Sequence, residues 1–149
     1  MPVTQPPRFF RLLLVEDDIG RVQDFRTWLP PWAKLVWAQS AGGAIGLIRR
    51  DPGHVYGGVL LDHDLGQRAM TADDESLSGS NVAIALIEHF SIDIPILIHS
   101  TNQVQVPRVA RQLEEKRFWV TRIPFYDMTK DAFLRWVQEA HELWEEYGD

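Results

Sequence analysis

The chain has 149 residues, no cysteine, and 21 acidic against 15 basic residues, for a formal net charge of −6. That length fits one domain with a real core, and 45% hydrophobic with 11% aromatic residues excludes global disorder. The lack of cysteine excludes disulfides, thiolate metal sites and a cysteine nucleophile; no apolar run is long enough to span a membrane, and the acidic balance argues against nonspecific nucleic-acid binding.

Residues 1–8 carry three prolines, lack the apolar stretch of a secretory signal and read as a disordered leader before a domain at 9–149, with a cytoplasmic location expected. Leu12–Val15 is a short apolar run suited to a strand buried on both faces. Asp18 can cap a helix carrying Val22, Phe25 and Leu29, stopped by Pro30-Pro31. Leu35–Ala38 is a second strand, and Ser40 can cap a helix through Ala44, Leu47 and Ile48 that ends near Asp51-Pro52-Gly53. Val59–Leu61 is the third strand, followed by a polar stretch from Gly66 to Ser78. Val82–Phe90 reads as a helix, Ile94–Ile98 as a strand, Pro107–Lys116 as a helix with proline in its first turn, and Phe118–Ile123 as the fifth strand. The last helix spans about Lys130–Tyr147, with Phe133, Trp136, Val137, Ala140, Trp144 and Tyr147 as a core-facing stripe.

Strands alternating with helices imply right-handed crossovers and an α/β fold: a single doubly wound five-stranded parallel sheet, (βα)5, in a flavodoxin-like three-layer sandwich. In such sheets ligands bind outside the carboxyl ends of the strands, where the strand order reverses. The polar clusters fall at those ends: Glu16-Asp17-Asp18 after the first strand, Asp62-His63-Asp64 after the third, and His99-Ser100-Thr101-Asn102 after the fourth. Five carboxylates converging there would repel one another unless a cation lay among them, and oxygen ligands suit Mg2+ or Mn2+. Asp17, Asp18, Asp62 and Asp64 are the expected metal ligands, although Asp18 also reads as a helix cap and Glu16 as a solvated side chain. Asp62, His63, His99, Ser100 and Asn102 are the expected catalytic or phosphate-binding residues. A carboxylate beside His99 would raise its pKa toward neutrality and suit it to general-acid work. His54, His89 and His141 read as surface residues.

From Phe10 to Trp144 the pattern resembles response-regulator receiver domains. The resemblance rests on an acidic pair at Asp17 and Asp18, a phosphoacceptor at Asp62 ending the third strand, and Ser100 ending the fourth. Receivers usually place a lysine before the proline that follows the fifth strand; Ile123 stands there, and Arg122 is displaced by one residue, which turns it to the other face of the strand. Asp62 to Gly66, Gly79, and His99 to Asn102 are similar to a narrower group, receiver-like proteins proposed to process cyclic phosphates.

Three functions follow. As an enzyme, a stand-alone atypical receiver would use a metal and the two histidines on cyclic phosphates, whose ring strain leaves positioning and electrostatics to do the rest. As a response regulator, it would take a phosphoryl group on Asp62 from a histidine kinase. As a pseudo-receiver, it would only bind proteins. The expected partners are a phosphorylated small molecule or a histidine kinase; no membrane is involved, nor nucleic acid other than RNA or nucleotide ends.

Overall fold

The structure is a computed structural model that describes residues 9–51, 55–62 and 79–147, the side chain of Tyr147 excepted. The leader, the Pro52-Gly53 turn, and His63, Asp64 and the polar stretch after them lie outside the described residues.

Five parallel strands form one sheet in the order β2-β1-β3-β4-β5. They are β1 (Phe10–Val15), β2 (Ala33–Ala38), β3 (Tyr56–Leu61), β4 (Ile96–Ile98) and β5 (Val120–Arg122). The helices are α1 (Ile19–Trp28), α2 (Ala41–Arg50), α3 (Gly79–His89), α4 (Val106–Glu114) and α5 (Lys130–Tyr147), with a short 3-10 turn at Phe125–Asp127 before α5. The doubly wound α/β sandwich expected from the alternation of apolar runs is thus the fold. β5 begins two residues later than its apolar run, and α3 begins three residues earlier.

Side chains alternate across the sheet, so each central strand feeds two cores. Leu13, Val15, Val59, Leu61, Ile96 and Ile98 pack on one face with α2, α3 and α4. Leu12, Leu14, Leu60 and Leu97 pack on the other with Val22 and Phe25 of α1 and Phe133, Trp136, Val137 and Ala140 of α5. All six residues of β3 are buried, which is why its sequence is small and apolar with no alternation. Of the expected α5 stripe, Phe133, Trp136, Val137 and Ala140 face the core and Trp144 packs against it; the Tyr147 side chain lies outside the described residues. His141 does not sit on an open surface: it is half-buried, 4.4 Å from the Trp32 ring and edge-on to Phe10, because α5 lays it against the start of β1.

Gly57 and Gly58 permit this close packing. The β1–β3 register shifts between Arg11 and Leu12, so that Leu12 pairs with Gly58 and Gly57 forms a bulge beneath the Phe10 ring. A Cβ on Gly58 would lie 2.8 Å from Leu12 Cδ2 and 2.9 Å from Trp136 Cη2. Gly58→Ala should therefore lower stability by about 1–3 kcal/mol, the usual result of overpacking a filled core. Urea denaturation checks it; an unchanged midpoint would mean that α5 can retreat from the sheet.

Candidate metal and phosphate site

The strand order reverses between β1 and β3, which opens a crevice at their carboxyl ends. Ladder bonds continue past the strands: Asp62 N–H donates to Val15 O at 3.0 Å, and His99 N–H to Leu61 O at 3.1 Å. The register Val15 with Leu61 and Leu61 with Ile98 then sets Glu16, Asp62 and His99 side by side in one row. Period-two alternation puts all three on the face of Leu14, Leu60 and Leu97, toward α1 and α5. Each is buried: Glu16 and His99 are 0% exposed and Asp62 is 1% exposed. One ligand atom from each lies within 4.8 Å of the other two.

Arg21, in the first turns of α1, reaches over this row. Its Nη1 is 3.4 Å from Glu16 Oε1 and 3.9 Å from Asp62 Oδ2, and its guanidinium lies 5.1 Å from the Phe125 ring centroid. Two buried carboxyls thus share one cation that keeps a solvent-facing edge, its side chain being 27% exposed. Burial drives the Glu16 pKa up from its ordinary value, opposed by a hydrogen bond to the Asp62 side chain and by the charge of Arg21. Two more bonds hold Glu16: its backbone O accepts the Trp37 indole Nε1–H at 2.7 Å, and its Oε2 accepts Asp17 N–H at 3.0 Å.

His99 differs from expectation. Its Nε2 is 3.5 Å from Glu16 Oε1, yet neither ring nitrogen makes a hydrogen bond, and the ring is edge-on to Phe25 at 5.1 Å. Complete burial lowers its pKa to about 4; the neighbouring Asp62 charge pulls upward and Arg21 pulls down. Desolvation outweighs the carboxylate, so the imidazole is neutral at pH 7 and is not poised as a general acid.

The acidic cluster is also rearranged. Glu16 is buried at the centre rather than solvated. Asp18 is exposed and its Oδ1 accepts Arg21 N–H at 3.2 Å, so it works as the α1 cap and lies outside the buried row. Asp17 is half-buried and lines a cavity of about 200 Å3 with Ile19, Trp37 and Gln39; one residue on from Glu16, it has the opposite strand parity. Ser100 is buried and its Oγ accepts Asn102 N–H at 3.1 Å. Asn102 Oδ1 is engaged by Val104 and Gln105 N–H at 3.2 and 3.0 Å, in the turn into α4. Ile123 follows His99 in the same row, since Ile98 pairs with Arg122; Arg122 is exposed and of opposite parity. Among the described residues, the cation beside Glu16 and Asp62 comes from helix α1.

The sequence placed Glu16 among the strand-end acids but read it as solvated, and it did not single out Arg21. Glu16 shares the parity of Leu12 and Leu14, as Asp62 shares that of Leu60, and this signal was present in the chain. Arg21 had none beyond lying one turn after a strand end. The donor set fits a divalent cation: two buried carboxyls beside an imidazole with bare nitrogens.

A (βα)5 sandwich with acids at the ends of β1 and β3 defines a receiver-like domain. A family profile described as cyclic-phosphate processing receiver domain matches residues 12–115, and the chain belongs to that family. A search of curated proteins finds no match. Among solved structures, a CheY-like response regulator receiver domain protein from Methanospirillum hungatei is similar at TM-score 0.67 and 14% identity, over 93% of this chain and 98% of that one. The receiver domain of an HD domain-containing protein from Pseudomonas fluorescens matches at TM-score 0.68 and 15% identity, over 91% and 96%. The receiver domain of a sensor histidine kinase from Pseudomonas aeruginosa, with a magnesium ion coordinated in its active-site cleft, matches at TM-score 0.63 and 16% identity, over 88% and 96%. Among the described residues, no helix is long and apolar enough to cross a membrane.

Proposed function

We propose that the protein binds a divalent metal and a phosphate at the carboxyl ends of β1, β3 and β4, and processes cyclic phosphates there. The observation that carries this reading is the in-register row Glu16–Asp62–His99 beneath the Arg21 guanidinium. The family to which the chain belongs supports the substrate class, and the magnesium in the Pseudomonas aeruginosa relative supports a metal.

Glu16 and Asp62 would hold the ion; it would supply positive charge that polarises a phosphoryl oxygen. Arg21 presents a planar donor fork, which matches two oxygens of a phosphate, and its packing on Phe125 limits how that fork turns. Asn102, its Oδ1 held by the α4 turn, has an amide NH2 to offer an anionic oxygen. Opening a cyclic phosphodiester needs a proton on the leaving oxygen. With Glu16 and Asp62 ionised on the metal, that proton would come from solvent, and water would supply the oxygen that replaces the leaving group on phosphorus. Transfer of a phosphoryl group to Asp62 is disfavoured by Ile123, which brings no charge to the row.

The purified protein with Mn2+ should open 2′,3′-cyclic nucleotides, and Asp62→Asn, which removes a ligand of the ion, should lower the rate by about 10²-fold. No turnover of any cyclic phosphate, together with stoichiometric labelling of Asp62 by acetyl phosphate on intact mass, would replace this reading by the phosphorelay one.

A further inference from the structure

We infer that His99 Nε2 is itself a metal ligand, so that the site takes a first-row transition ion such as Mn2+ in preference to Mg2+. This rests on the metal reading above and goes beyond it, because it assigns the role of a third residue and the class of ion.

Three observations converge. His99 is fully buried and neither ring nitrogen has a hydrogen-bond partner. Buried polar side chains almost always have one, and an exception beside two carboxyls points to a bound ion. Trp136 Nε1 is also buried without a partner, but an indole N–H has no lone pair for a cation and no acid is grouped with it. Second, Nε2 faces the acids at 3.5 Å from Glu16 Oε1, and the three ligand atoms fall within 4.8 Å of one another. Bonds of about 2.0–2.2 Å place neighbouring ligand atoms roughly 3 Å apart, so shifts below an ångström bring all three onto one ion.

Third, the backbone presets this donor set. The ladder bonds Asp62 N–H to Val15 O and His99 N–H to Leu61 O hold the three residues in one row. The Phe25 ring packs edge-on against the imidazole and restrains its rotation. A neutral imidazole is a borderline donor that suits Mn2+, Fe2+ or Zn2+, whereas Mg2+ demands oxygen and retains its waters. Arg21 now occupies the cation's place on the carboxyls. Its partly exposed side chain can move aside when an ion enters, leaving the guanidinium for the phosphate.

The test uses the full chain stripped of metal, titrated by calorimetry with Mn2+ and with Mg2+, and pulsed EPR of the Mn2+-loaded protein. Mn2+ should bind at least about 100-fold more tightly than Mg2+. The EPR echo should be modulated by a directly bound nitrogen. His99→Gln should weaken Mn2+ by about 10–100-fold or more while changing Mg2+ much less, and should abolish the nitrogen modulation. Tight binding of both ions with no nitrogen coupling in the unmodified chain would overturn the ligand assignment and leave the metal site standing on Glu16 and Asp62. Failure to bind either ion would overturn both. The EPR arm on the unmodified protein decides the point even where His99→Gln does not fold.

Discussion

Arg21→Ala should lower the stability of the metal-free protein by about 1–3 kcal/mol, and Mn2+ should then stabilise the variant more than it stabilises the parent. Removing one partner of a fully buried ion pair costs about 3–5 kcal/mol, because the charge left behind is uncompensated. Arg21 keeps 27% of its side chain exposed, so water screens part of that loss and the smaller range applies. What remains is a pair of buried carboxyls, Glu16 and Asp62, with no guanidinium between them. They can relieve the repulsion by holding a proton, or by taking up an ion. In the parent, an incoming cation must first displace Arg21; in the variant it does not. At about 100 times its dissociation constant an ion adds roughly 2.7 kcal/mol. Thermal melts with chelator and with Mn2+ separate the two contributions. Arg21→Lys, which keeps the charge but cannot span both acids, should fall between. An Arg21→Ala protein as stable as the parent in chelator would mean that the guanidinium does not compensate the row.

The second large effect is in the acid limb of stability. His99 has its pKa lowered from 6.5 to about 4 by burial. Between those values the unfolded chain binds a proton that the folded protein refuses. This contribution is therefore complete above pH 6.5 and is lost as pH falls toward 4, by about 3 kcal/mol in total. Glu16 acts in the opposite sense. Its folded pKa is raised above the model-peptide value of 4.5, again by desolvation first. Its contribution is present at low pH and is lost as pH rises through that raised value. The two slopes partly cancel in the parent. Urea titrations across pH 4–7 in chelator should show a steeper acid loss for Glu16→Gln and a flatter one for His99→Gln. A His99→Gln protein with the parent's pH profile would mean that water reaches the imidazole in the folded state.

Much of this was legible along the chain. Leu12–Val15, Val59–Leu61 and the apolar residues of β4 are continuous apolar runs because their strands are covered on both faces, and their alternation with amphipathic stretches specified the parallel sandwich. Asp17 and Asp62 stood out because nothing local explains a carboxylate at the end of a buried apolar strand. Asp18 shows the limit of that logic. It was read both as a cap and as a metal ligand, and the cap is what the structure shows, its Oδ1 accepting Arg21 N–H.

The sequence by itself determined the element order, the layers, and which strand ends carry polar clusters, since these depend on hydrophobic period and on residues adjacent along the chain. Only the tertiary structure decided which acid is buried beside Asp62 and what surrounds it. That Glu16 lies in a buried row with Asp62 and His99 follows from the lateral register of β1 with β3 and of β3 with β4, set by ladder bonds between strands far apart in sequence. The identity of the cation depends on how α1 lies across the sheet, which brings Arg21 from a helix to the acids while Arg122 on β5 stays exposed. The charge state of His99 depends on desolvation by α1 and α5 packing around it, a property of the closed core that no residue's neighbours in the chain report.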